Sequence, residues 1–154
     1  MKTKSNRPEV QKGLQICFKI TNMVKEQFPN EVFAIKQNSI VPFTSNKRLC
    51  NNTSLGGSFA HFHNTKPHRV CCKQNFLING RNWHSEYEFG RQKRGTGYYV
   101  NGTLGYVLLI VHELAHHRTK GHGKKWVIKC KKFQNFMINQ LISGEYYKYI
   151  LPIH

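Results

Sequence analysis

The H-E-x-x-H segment, His112 to His116, constrains this chain more than any other feature of its 154 residues. A third histidine, His122, follows six positions after the second. On an α-helix, residues four apart are displaced by about 40° around the axis and about 6 Å along it. His112 and His116 therefore project from one face of a predicted helix, where both rings can reach one metal ion. Glu113 lies beside them on the neighbouring row.

The residues after the motif predict how the third histidine reaches the same ion. Gly121 breaks the helix just before His122, so the chain can turn back towards the first two histidines. Three histidine nitrogens with one position left for water form the ligand set of a catalytic zinc site. Glu113, which is not a ligand, would take a proton from that water. The pattern is typical of a zinc-dependent peptidase, and the alternative is a histidine pair on a surface helix.

The charge composition indicates a polyanionic partner. The chain has 24 Lys and Arg residues against seven acids, which gives a net charge of +17. Such an excess is typical of proteins that bind nucleic acid, because neutralising phosphates releases counterions. Solubility, or attraction to any anionic surface, is the alternative explanation. All seven acids are Glu, which disfavours a two-metal nuclease that would hold its cations with clustered carboxylates.

The cysteine pattern and the N-terminal sequence favour an intracellular protein. Five cysteines occur without a C-x-x-C pair, so neither a zinc ribbon nor a disulfide framework is indicated. The basic N-terminal residues lead into no apolar segment of the kind found in secretory signals. The longest fully apolar run, residues 107–111, is too short to cross a bilayer. We therefore expect a cytoplasmic protein, or a nuclear one in a eukaryotic host, with no membrane contact.

Hydrophobic periodicity predicts one α+β domain over residues 1–154. Apolar residues at three- and four-residue steps predict a first helix from Pro8 to Gln27. Gly56-Gly57 and Asn79-Gly80 predict turns, the second of them a hairpin turn. The expected sheet is small and mostly antiparallel. Its predicted strands are short apolar runs at residues 32–36, 58–62, 69–72 and 87–89.

Two further helices are predicted after the sheet. The first runs from Thr103, its N-cap, to Lys120, and the second runs from Gly123 to Gly144. The apolar stripe of the first contains Leu104, Val107, Leu108, Val111, Leu114 and Ala115. The apolar stripe of the second contains Trp126, Cys130, Phe133, Met137 and Leu141.

Lysines lie outside the apolar stripe of the last predicted helix, several of them at helical spacing. They are Lys125, Lys129 and Lys132, with Lys124 and Lys131 nearby. One interpretation is a solvated surface, which is the usual environment of a charge run. The other is a ridge that follows a phosphate backbone beside the metal site, with DNA as the partner.

The segment His122-Gly123-x-x-Trp126 after H-E-x-x-H resembles the SprT-like (Spartan) family of zinc metalloproteases. The resemblance is specific over roughly residues 104–133 and is only topological elsewhere. It implies an α+β fold with an N-terminal helix, a small sheet, the H-E-x-x-H helix and a C-terminal helix, in a minigluzincin-like arrangement. It also implies that Trp126 anchors the last helix under the site.

The same resemblance implies roles for the site residues and a biological setting. Zinc would be bound by His112, His116 and His122, and Glu113 would be the catalytic glutamate. Members of this family are DNA-associated proteases that typically remove proteins crosslinked to DNA, so DNA and protein substrates are the expected partners and DNA repair the expected process. Many members carry a C-terminal zinc ribbon, and no such pattern occurs in this sequence. DNA contact is therefore expected from the basic surface of the protease core.

Two other interpretations of the zinc pattern stay open. A non-enzymatic nucleic-acid-binding protein could use the same histidines for a structural zinc, in which case a fourth protein ligand is expected. The spacing from His116 to His122 also equals that of metzincins, but Thr119 occupies the position where they need glycine. We therefore favour the SprT-like interpretation.

Several residues outside the motif have two interpretations. A second zinc site is conceivable among five metal-capable residues, but they lack the usual spacing of structural zinc ligands, so a strand edge with buried cysteines is preferred. Trp83 could stack on a base of single-stranded DNA, with core packing as the preferred alternative. His117 points about 100° away from its neighbour His116 and is expected at the surface or behind the ligands. The five metal-capable residues are His61, His63, His68, Cys71 and Cys72.

Overall fold

The computed structural model describes residues 7–36, 39–42, 59–63, 67–85, 97–119 and 121–144. Within these residues the chain forms four helices, a three-stranded sheet and a two-stranded sheet, so the predicted α+β class is confirmed. In chain order the elements are α1 (Pro8–Gln27), β1 (Ile40–Pro42), β2 (Ala60–His63), β3 (Arg69–Cys72), α2 (Gln74–Asn79), β4 (Asn82–Ser85), β5 (Gly97–Val100), α3 (Gly102–Leu114) and α4 (Lys124–Ser143).

The three-stranded sheet is mixed, with β3 in the centre. β3 runs parallel to β1 and antiparallel to β2, and Phe62 lies opposite Val70 in the antiparallel register. Side chains alternate between the two faces of a strand. Phe62, Val70 and Cys72 therefore share one face, and all three are buried in the core. His61 and His63 lie on the opposite face.

Helix α1 has the predicted bounds, and its apolar stripe is buried as expected. Pro8 occupies the first turn, where a missing N–H is tolerated, and Val10, Cys17 and Val24 are fully buried. The strand expected at residues 32–36 is wrong, because this segment is irregular and places two apolar side chains in the core from a loop. The turn expected at Gly56-Gly57 and the strand expected at residues 87–89 lie outside the described residues.

Asn79-Gly80 ends a helix instead of forming a hairpin turn, so that prediction is also wrong. Gly80 has a left-handed φ of 76° at the C-cap of α2, and its N–H bonds to the carbonyl oxygen of Phe76 at 2.6 Å. A β-carbon built on Gly105 of α3 would collide with the carbonyl of Gly80. Glycine at position 105 thus allows α3 to approach the end of α2 closely.

The two-stranded sheet is a hairpin of β4 and β5 that is fixed to α3 by one buried side chain. The Nδ2 group of Asn82 donates hydrogen bonds to the carbonyl oxygens of Gly80 and Gly105, each at 2.9 Å. Asn82 pairs with Val100 on the neighbouring strand. Because both carbonyl partners are in the core, the base of the hairpin has a fixed position relative to α3.

Helix α3 is the central helix of the fold. All residues from 105 to 111 are buried, whereas Leu104 is exposed, contrary to its predicted place in the apolar stripe. The helix starts at Gly102 with Asn101 as its N-cap, so the predicted N-cap at Thr103 is wrong. None of the described helices combines the length and the apolar character that a membrane-spanning helix needs.

Helix α4 agrees with its predicted bounds and packs its aromatic residues against the end of α1. Gly123 and Gly144 are its N-cap and C-cap residues. The ring of Phe133 lies 5.2 Å from that of Phe28, measured between centroids. Of the predicted stripe, Trp126, Cys130, Phe133 and Met137 are buried and Leu141 is partly buried.

Candidate metal centre

Helix α3 ends inside the H-E-x-x-H motif, earlier than the predicted end at Lys120. Its last helical residue is Leu114, and the next residues form a tighter turn. The N–H of His116 bonds to the carbonyl of Glu113 at 3.1 Å, and that of His117 bonds to the carbonyl of Leu114 at 3.2 Å. These are bonds to the third preceding residue, as in a 3₁₀-helix. The rings of His112 and His116 nevertheless stay together, with centroids 5.1 Å apart.

Two of the described residues between the motif and the third histidine have a left-handed backbone conformation. Arg118 has a φ of 64° and Gly121 has a φ of 66°. Thr119 stabilises the turn, because its N–H bonds to the carbonyl of His116 at 3.1 Å and its hydroxyl bonds to the carbonyl of Ala115. A left-handed conformation costs a non-glycine residue about 1–2 kcal/mol, so Arg118 is held in place by its surroundings.

The three histidines lie close enough to share one metal ion. The Nε2 atoms of His112 and His122 are 3.2 Å apart, and a ligand atom from each of the three histidines lies within 4.8 Å of the others. Zinc–nitrogen bonds of about 2.0–2.1 Å with tetrahedral angles require nitrogen atoms about 3.3 Å apart. The residues therefore fit a divalent ion. Because imidazole also suits copper, iron and nickel, the geometry defines a metal site without specifying zinc.

Burial keeps the central histidine of this group in the form that binds metal. His112 and His116 are partly buried, and His122 is exposed. Burial, followed by the charges of His112 and His122, lowers the pKa of His116 from 6.5 to about 3. A neutral imidazole offers a lone pair to a metal, whereas an imidazolium does not.

Trp126 packs against all three histidine rings. Its indole is almost fully buried, stacks on His116 at 5.5 Å between centroids, and meets His112 and His122 edge-on at 4.8 and 4.6 Å. The indole Nε1 also donates a hydrogen bond to the carbonyl oxygen of His112. Trp126, in the first turn of α4, thus packs against the metal-capable group and links it to this helix, as expected for this aromatic residue.

His117 and Lys129 are both buried. The surface alternative for His117 is therefore wrong, as is the exposed position predicted for Lys129. The ring of His117 lies edge-on to Phe33 and His68, with centroids 5.9 and 4.8 Å away. The Nζ of Lys129 donates a hydrogen bond to the carbonyl oxygen of His117 at 2.6 Å. Burial lowers the pKa of Lys129 from 10.5 to about 8. Lys129 thus supports the turn that carries His116.

The remaining lysines of the predicted ridge differ in their surroundings. Lys124 and Lys125 are exposed in the first turn of α4. Lys132 makes an ion pair with Glu31, with an Nζ–Oε1 distance of 2.7 Å. The predicted row of solvated lysines is therefore wrong at Lys129, which is buried. Lys132 is already paired with the carboxylate of Glu31.

Glu113 and His112 connect the histidine group to a cleft of about 390 Å³. Glu113 is only 5% exposed, and its Oε2 lies 3.7 Å from the Nε2 of His112. The size is within the range of small-molecule and peptide-binding pockets. The cleft is lined by the start of β2, the β4–β5 hairpin and α3, through Phe59, Ala60, Asn82, Trp83, His84, Tyr99, Leu108, Leu109, His112 and Glu113.

The second group of metal-capable residues does not form a comparable centre. Among the residues that the structure describes, only His112, His116 and His122 bring three such ligand atoms together. Cys71 and Cys72 are buried, as the preferred interpretation expected. A thiol hydrogen bond with Cys17, followed by burial, raises the pKa of Cys72 well above 9.0. His61 and His63 meet edge-on at 4.6 Å, and burial lowers the pKa of His63 to about 4.

Comparisons of the chain with models of known protein families, with curated proteins and with solved structures gave no significant match. The structure brings the predicted ligands together and places Glu113 beside them. Sequence reasoning missed the roles of Asn82 and Lys129, because neither residue carries a local signal for a hydrogen bond to a distant carbonyl.

Proposed function

We propose that the chain is a zinc-dependent metallopeptidase of the SprT-like type that cleaves proteins bound or crosslinked to DNA. The observation that carries this proposal is the open group of three histidines, with Glu113 between this group and a cleft. A minigluzincin-like core would use the same order of α1, a small sheet, α3 and α4. The cleft reaches the metal-capable group through His112 and Glu113, which both line it.

The chemistry follows from the positions of four side chains. His112, His116 and His122 would hold zinc, which when bound supplies a Lewis acid that makes water a stronger nucleophile and polarises a peptide carbonyl. Glu113 would accept the proton of the attacking water and then deliver it to the leaving amine nitrogen. Its near-complete burial limits competing solvent contacts and keeps the carboxylate directed at the cleft.

The number of ligands favours an enzyme over a non-enzymatic protein with a structural zinc. Structural zinc sites are normally closed by four protein ligands, whereas catalytic sites keep one position for water. In the described part of the chain, the group contains three histidines and no cysteine or carboxylate as a fourth member. His122 is exposed, so solvent reaches the group at this histidine.

The proposed DNA association is supported by charge. The net charge of +17 gives the protein a strong attraction for polyanions. Lys124 and Lys125 are exposed immediately after His122, so they place positive charge beside the proposed active site. A protein substrate bound to DNA would thereby be concentrated near the cleft.

A Glu113→Gln variant provides the decisive test. Purified wild-type and variant proteins would be incubated with a basic DNA-binding protein, with and without DNA and chelator, and cleavage read on a gel. We expect the variant to keep its zinc, measured by elemental analysis, and to lose cleavage by at least about a hundredfold. Glu26→Gln, at an exposed position of α1, is the matched control and should cleave normally. Normal cleavage by Glu113→Gln would refute the mechanism.

A further inference from the structure

One face of the β4–β5 hairpin presents two large aromatic side chains to solvent, and Tyr98 is exposed on the other face. Trp83 and Tyr99 are directly opposite each other in the antiparallel register, so their side chains are on the same face. Their rings meet edge-on with centroids 5.1 Å apart, and they are 42% and 55% exposed. Core packing, the preferred expectation for Trp83, is therefore wrong.

A cation lies against this aromatic pair. The guanidinium carbon of Arg81 is 4.3 Å from the centroid of the Tyr99 ring, and Arg81 is itself exposed. The Nζ of Lys73 lies 5.8 Å from the centroid of the Phe59 ring, and Phe59 also lines the cleft. Two aromatic residues of the cleft lining, Tyr99 and Phe59, thus each have a cation against their ring. Among the described residues, Glu113 is the only acid that lines this cleft.

The aromatic face has a firm support. Asn82, next to Trp83 in β4, is held by its two hydrogen bonds to the carbonyls of Gly80 and Gly105. On the other face of the hairpin, His84 is buried and pairs with Tyr98 in the strand register. The hairpin therefore buries Asn82 and His84 on one face. On the other face it keeps the Trp83–Tyr99 pair at the surface, beside the cleft.

We propose that Trp83 and Tyr99 form a stacking platform for the bases of a single-stranded nucleic acid, with Arg81 binding its phosphates. Aromatic rings beside basic side chains are the usual elements of sequence-tolerant single-strand binding. Stacking requires unpaired bases, so the platform selects single strands over duplexes. The choice of nucleic acid over peptide rests on the proposed DNA association and on the cations that lie against the Tyr99 and Phe59 rings. Binding itself does not require peptidase activity.

The two tryptophans of the chain make this platform directly observable. Trp83 is exposed, whereas Trp126 is buried beneath the histidines, so quenching of intrinsic fluorescence by a nucleic acid base reports Trp83. The probe is an oligo-dT of about 16 nucleotides, which can span one such site. We expect quenching in the wild-type protein. A Trp83→Phe variant should lose the quench and retain the affinity, which is followed by fluorescence anisotropy of a labelled oligo-dT.

Truncation of the platform should weaken binding. Trp83→Ala and Tyr99→Ala are each expected to raise the dissociation constant for oligo-dT roughly tenfold, as for loss of one stacked base. Ile142→Ala, at an exposed apolar position of α4, is the matched control and should bind like the wild type. Far-ultraviolet circular dichroism and thermal unfolding of each variant establish that the fold is retained.

Three results would overturn the platform. The first is wild-type affinity for oligo-dT in a folded Trp83→Ala/Tyr99→Ala variant. The second is equal affinity of the wild-type protein for oligo-dT and for a duplex of the same length. The third is a Trp83→Ala/Tyr99→Ala variant that has a raised KM for a protein substrate and no loss of oligo-dT binding. That result would make this face a peptide subsite. If neither the wild type nor any variant cleaved protein, but their affinities for oligo-dT changed as expected, only the proposed peptidase function would be refuted.

Discussion

The indole Nε1 of Trp126 donates a hydrogen bond to the backbone carbonyl oxygen of His112, across a distance of 3.2 Å. It does so at the point where the regular hydrogen-bond pattern of α3 changes to the tighter turn. The residue that packs under the three histidines thus also ties α4 to the backbone of the H-E-x-x-H motif. This bond makes the position of the metal-capable group depend on the orientation of α4.

Trp126→Phe should lower metal affinity because it removes this hydrogen bond while keeping most of the packing. Loss of a residue that orients metal ligands commonly costs 10–100-fold in affinity, so we expect roughly a tenfold loss of zinc affinity. The measurement is competition with a chromogenic chelator. Trp83→Phe, the same substitution at the other tryptophan, should leave zinc affinity unchanged. Equal affinities of Trp126→Phe and wild type would show that the bond does not orient the ligands.

His122→Ala should abolish metal binding with little effect on the metal-free fold. His122 is exposed, and substitutions at such positions usually change stability by less than about 0.5 kcal/mol. In the wild-type protein, zinc at 100 times its dissociation constant should stabilise the fold by about 2.7 kcal/mol. The zinc-dependent rise in Tm should disappear in His122→Ala and persist in Lys124→Ala, which alters an exposed residue of the next turn. A persistent rise in His122→Ala would mean that zinc is held elsewhere.

Lys129→Met should destabilise the protein because it leaves the carbonyl of His117 without its charged donor. We expect the free energy of unfolding to fall by about 1–3 kcal/mol, the usual cost of an unpaired buried group. Denaturant unfolding measures this change. Lys131→Met, at an exposed position of the same helix, is the control and should have almost no effect. An undiminished stability of Lys129→Met would contradict the role assigned to Lys129.

The wild type and Lys129→Met should also differ in how their stability depends on pH. Burial lowers the pKa of Lys129 from 10.5 in the unfolded chain to about 8 in the folded protein. Between these values the unfolded chain holds one more proton on this group, so the stability of the wild type increases with pH. The stability difference between wild type and Lys129→Met should therefore be flat below about pH 8 and grow above it. A constant difference from pH 7 to 10 would exclude this titration.

The metal-capable group could be predicted from sequence because its information is local. The spacing of His112 and His116 within one turn, and the glycine before His122, determine which rings can meet. The bounds of α1 and α4 were equally accessible, since their apolar stripes and end residues agree with each other. Short-range periodicity and turn chemistry carry all of these features.

Other features depend on contacts between distant parts of the chain. Asn79-Gly80 suits a hairpin turn and a helix C-cap equally well, and the fit between Gly80 and Gly105 accompanies the second outcome. Helix α3 ends early, where the N–H groups of His116 and His117 bond to the third preceding carbonyls instead of continuing the α-helical pattern. The exposure of Trp83 depends on how the β4–β5 hairpin packs against the rest of the fold, and no local sequence pattern encodes that packing.

The placement of the third histidine has a consequence for the lifetime of the protein. His112 lies near the end of α3 and His122 lies in the turn that precedes α4, so an ion held by both would link α3 to the start of α4. Copies of the protein without the ion would lack this link. Under the proposed peptidase function, such copies would be digested more readily than copies that hold the ion, and inactive molecules would be removed from the pool.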